Sequence, residues 1–96
     1  MAATIDEITI TYTEDGIETV KELDKVVLSK GAWSTIIFRY QDWDAKKQAY
    51  SPDKYTIRRY RKRDGAYKQQ SKFNISSADQ ARGIIAALNN WIGDSE

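Results

Sequence analysis

The chain contains no cysteine and no histidine. Disulfides, thiolate zinc sites and the Cys–His or Ser–His pairs of nucleophilic catalysis are thereby excluded, and any metal would have to be held by carboxylates alone. The sequence also lacks a glycine-rich loop of the kind that cradles phosphates in nucleotide-hydrolysing enzymes. No apolar run approaches the roughly 18 residues of a membrane span, and the opening MAATIDE lacks the basic-then-apolar pattern of a secretory signal. These absences lead to the expectation of a cytoplasmic, non-enzymatic domain with no cofactor.

What the chain does hold is charge, unevenly distributed. The formal net charge is only +1, yet residues 1–24 sum to −6, residues 25–72 to +9 and residues 73–96 to −2. The densest stretch is KYTIRRYRKR (54–63), in which six of ten side chains are cationic. A solvated edge strand needs one or two charges to block sheet-to-sheet association; six repel one another unless an anionic partner relieves them. A basic stripe of this kind is the usual electrostatic footprint for nucleic acid.

Ninety-six residues is the size of one domain with one modest core, so residues 1–96 are read as a single unit. ITITYT (8–13) alternates like a strand, and Glu14-Asp15-Gly16 reads as a turn. Residues 17–31 are ambiguous in their first half and strand-like around Val26-Val27-Leu28. WSTIIFRYQDWD (33–44) is the clearest strand, with Ile36, Phe38 and Tyr40 on its core face. Residues 45–53 read as a loop, 54–63 as a strand closed by the turn Asp64-Gly65, and 66–76 as its hairpin partner. In that partner, strict alternation sets Lys68 and Lys72 on one face.

Ser77 with Gln80, or Ser76 with Asp79, marks a helix start, after which Ala81, Ile84, Ile85, Leu88 and Ile92 form an apolar stripe suited to core or dimer packing. Gly83 inside that helix suggests close packing or a kink. The expected class is α+β, an antiparallel sheet of four or five strands followed by one C-terminal amphipathic helix.

Aromatic rings accompany the cations. Trp33 and Trp43 bracket Arg39 on the face of 33–44 opposite the core residues. Bases stack on flat rings while cations follow phosphates, and base faces are available only in single strands.

The quoted segments resemble a known family. TIRRY (56–60), RYQDW (39–43) before it, and KFNIS (72–76) leading into SADQARGIIAALNNWI (77–92) are similar to the motifs of the single-stranded-DNA-binding domain of the transcriptional coactivator positive cofactor four, in its bacterial form. The resemblance covers about residues 17–92. It implies a strongly curved sheet, a homodimer formed through the C-terminal helices, and single strands lying along the curved sheets. It implies Trp43 as the principal stacking ring, Arg58 on the binding sheet, and Lys68 and Lys72 as phosphate contacts.

The chain departs from the family pattern in carrying Arg61 where an aromatic is common and Asn74 where glycine is expected. Residues 1–16 have no counterpart in the shortest members, leaving an added strand or a shield over the basic channel as alternatives. The full set of expected nucleic-acid contacts is Trp33, Arg39, Trp43, Lys46, Lys47, Arg58, Tyr60, Arg61, Lys68 and Lys72. The expected function is single-stranded DNA binding with little sequence specificity, in transcription regulation or DNA replication and repair. Single-stranded RNA, or an acidic protein partner docking on the basic sheet, are the alternatives.

Overall fold

A computed structural model describes residues 3–93. After a 3₁₀ turn at Ile5–Glu7 come six strands, β1 Tyr12–Glu14, β2 Ile17–Ser29, β3 Trp33–Asp44, β4 Ala49–Tyr50, β5 Lys54–Arg63 and β6 Ala66–Ile75, and then one helix, α1 Ala78–Ile92. They form one curled antiparallel sheet in the order β1-β2-β3-β5-β6, with β4 pairing the end of β3. The α+β class is as the sequence predicts.

The hairpin turns follow from their residues. Asp15-Gly16 and Asp64-Gly65 both hold positive φ, 53° and 81° in the first and 52° and 81° in the second, the backbone a two-residue turn needs to match strand twist. The β3–β4 turn is held by Asp44, whose Oδ1 accepts from the amides of Lys46 and Lys47. Bulges at Leu23, Leu28 and Gln70, where one strand carries an extra residue against its partner, bend the sheet.

Strand alternation sets Ile36, Phe38 and Tyr40 of β3 beside Thr56, Arg58 and Tyr60 of β5 on one face. What covers that face is not a helix. Residues 3–11 cross it as a strap, and Ile8 and Ile10 complete a core with Ile36, Phe38, Tyr40 and Tyr60. ITITYT is thus a strand only from Tyr12 onward. Its first half bonds to side chains: the Glu22 carboxylate accepts from Thr9 Oγ1 at 2.7 Å and the Ile10 amide at 3.2 Å. Lys25 Nζ donates to the carbonyls of Ile5, Ile8 and Asp6. Buried backbone ends demand such partners.

Helix α1 begins as expected, with Ser77 Oγ accepting from the Gln80 amide and Gln80 Oε1 accepting from the Ser76 amide. It buries none of its residues. Its stripe faces the opposite side of the sheet from the strap, leaving an apolar groove of about 470 Å³ whose walls include Ile37, Tyr55 and Ile57 of the sheet and Ile84, Ile85 and Leu88 of the helix. Close packing does not occur at Gly83, where an added Cβ would meet nothing within 4 Å.

Candidate nucleic-acid interface

The sheet has two faces, and the expected contact residues are divided between them. On the strap face lie Arg58, Tyr60 and Lys72; on the helix face lie Trp33, Arg39, Trp43, Arg61 and Lys68. The separation of the two lysines corrects the sequence reading. Lys68 stands opposite Arg61 and Lys72 opposite Arg58, because the bulge at Gln70 reverses the alternation between them.

Tyr60 is also corrected. It is 6% exposed in the core, so its ring offers no surface to a base. Burial raises its phenol above the ordinary value of 10.0, with Arg58 opposing. Arg58 itself lies along the sheet, donating to Gln69 Oε1 at 3.1 Å.

The structure brings one group together at the open end of the helix face. Trp33, 41% exposed, pairs with Arg61 across β3–β5, and Arg61 pairs with Lys68 across β5–β6. The Arg59 and Arg61 guanidinium carbons lie 4.7 and 5.3 Å from the Trp33 ring centroid. Arg59 is not among the contacts expected from the sequence, although period two sets it beside Arg61. Apolar surface gives way to basic surface within two residues of β5, from Ile57 to Arg59.

Trp43 belongs to a separate group. Ten residues along β3 put it roughly 33 Å from Trp33. It packs edge-on against Tyr50 with centroids 5.1 Å apart, and Lys21 Nζ lies 4.6 Å from the Tyr50 centroid. Lys46 and Lys47 sit in the exposed turn beside it.

Ion pairing sorts the cations further. Arg39 is matched by Asp53 at 3.2 Å and Lys54 by Asp42 at 2.7 Å. Among the described residues, none of Arg58, Arg59, Arg61, Lys62, Arg63, Lys68 and Lys72 makes a salt bridge. The acids of β1 and β2 stand at the far edge of the sheet. The β5–β6 hairpin is therefore an uncompensated positive edge, which concentrates anions near it.

No group of three or more metal-ligating side chains is present among the described residues, and no helix there is long and apolar enough to cross a membrane. Compared with protein-family models, curated proteins and solved structures, the chain matches none.

Proposed function

We propose that the chain binds single-stranded DNA with little sequence preference, along the β5–β6 edge of its sheet. The observation that carries this is the pairing of exposed Trp33 with guanidiniums that form no salt bridge among the described residues. Arg59, Arg61 and Lys68 hold phosphates, and Trp33 stacks a base in exchange for its present arginine neighbours. Trp43 and Lys46–Lys47 form a second contact point at the other end of β3. Tyr60 takes no part. The resemblance of residues 17–92 to positive cofactor four supports the same reading.

A homodimer belongs to this proposal. Ile85 and Leu88 of the apolar groove and Trp91 beyond them on the helix are 47–78% exposed, while Val26 and Phe73 extend that surface across the sheet. A second copy covering it removes this area from water and leaves the basic end of the same face open.

Fluorescence anisotropy of a labelled single strand and its duplex, at two salt concentrations, tests the reading. With about five phosphates neutralised, affinity for the single strand should fall roughly a hundredfold between 50 and 200 mM salt. Binding that ignores salt, or equal binding to the duplex, would overturn it. Binding to an acidic peptide but to neither nucleic acid would assign the surface to a protein partner.

A further inference from the structure

The strap crosses the sheet without filling its end. Between Ala3–Asp6 on one side and Val27, Lys30, Lys62 and Tyr67 on the other lies a cavity of about 570 Å³. That volume falls in the range of small-ligand sites. It lies on the strap face, opposite the Trp33 cluster, and the proposed DNA contacts do not use it.

Its lining combines two chemistries. Lys30 and Lys62 supply ammonium groups that make no salt bridge among the described residues. Tyr67 supplies a ring, half-buried against the core, whose hydroxyl donates to the Gly31 carbonyl at 3.5 Å. Lys62 Nζ is 5.5 Å from the Tyr67 centroid, so cation and ring face the same space. Val27 and Ile5 complete an apolar wall. A compact anion joined to a flat apolar body satisfies both parts, and lysine as a flexible point charge suits phosphate.

We infer that this cavity binds a nucleoside monophosphate group, its phosphate on Lys30 and Lys62 and its base against Tyr67. The preference for a nucleotide over another aromatic anion rests on the DNA-binding reading. The same phosphate is carried by a free mononucleotide and by the phosphorylated end of a DNA strand. Asp6 also lines the space, and its carboxylate opposes the phosphate.

The test is a titration of the isotope-labelled full chain with deoxyadenosine 5′-monophosphate, followed by NMR, with deoxyadenosine as the uncharged control. Saturable shifts should centre on Lys30, Lys62 and Tyr67, and the nucleoside should bind about tenfold more weakly or worse. Lys30→Ala and Lys62→Ala, both at exposed positions, should each weaken the nucleotide about tenfold, and Asp6→Asn should tighten it. Absent shifts, or lysine variants without effect, would overturn the inference.

A second arm compares oligonucleotides of one length ending in phosphate or hydroxyl. An affinity gain from the phosphate that disappears in Lys62→Ala identifies the strand end as the source. No gain, with mononucleotide binding intact, identifies the free nucleotide. Hydroxyl-ended strands report on the Trp33 and Trp43 contact points and not on the cavity, so loss of their binding counts against the DNA reading and leaves the mononucleotide result to judge the cavity.

Discussion

Arg59 lies 4.7 Å from the centroid of the Trp33 ring, reached diagonally across the ladder, since its direct partner in β3 is Thr35. The ring and the guanidinium hold each other in place, and Arg59 makes no salt bridge among the described residues. Trp33→Ala should lower single-strand affinity by an order of magnitude or more, the scale of one stacked base at about 1–3 kcal/mol. Arg59→Ala and Arg61→Ala should each reduce the salt slope by about 0.7. Anisotropy titrations over a salt series measure both; a Trp33→Ala variant that binds normally would remove stacking from the mechanism.

The strap is expected to be part of the folded unit. Ile8→Ala, at a site 3% exposed, should destabilise by about 2–5 kcal/mol. Lys25→Met leaves three strap carbonyls without their shared donor and should cost about 1–3 kcal/mol. Urea unfolding of each variant, read at its midpoint, checks the order.

Gly83→Ala should stabilise, because the glycine sits in open space within a helix. The gain is about 1 kcal/mol, or roughly 4–8 °C in Tm for a domain of this size. Gly65→Ala should do the reverse, since φ at Gly65 is +81° and an L side chain is strained there. Thermal melts of the pair give opposite signs if the backbone is as described.

Leu88→Glu or Ile85→Glu should yield a monomer by sedimentation without unfolding the chain, because both side chains are exposed within the single copy. A wild-type chain that sediments as a monomer at high concentration would dismiss the dimer.

Stability should fall at alkaline pH. Burial raises the phenols of Tyr60 and Tyr40 above 10.0, and a hydrogen bond to Asp42 raises Lys54 above 10.5. Each group holds its proton more tightly when folded, so its contribution is complete below the unfolded value and is lost as pH rises through the folded one. Urea midpoints should therefore decline above about pH 10. Tyr60→Phe should make that decline shallower.

Much of this molecule was legible in its residues. Aspartate before glycine fits the positive φ of both two-residue turns, Ser77 and Gln80 mark the helix start, and alternation in β3 and β5 sorts side chains into two sets. The charge division is likewise a property of the sequence. These are local signals, carried by neighbours within a few residues.

Alternation already marks Ile36, Phe38 and Tyr40 as a core face; only the tertiary structure decided what covers it. Period two cannot say that residues 3–11 seal the face of Tyr60, or that the helix leaves its stripe open. Nor does it reveal the bulge at Gln70, which sends Lys68 and Lys72 to opposite faces. The gathering of Arg59, Arg61 and Lys68 around Trp33 depends on the register of three strands at once. Register and coverage arise from contacts between segments distant in the chain, where packing of the whole sheet outweighs the preference of any one stretch.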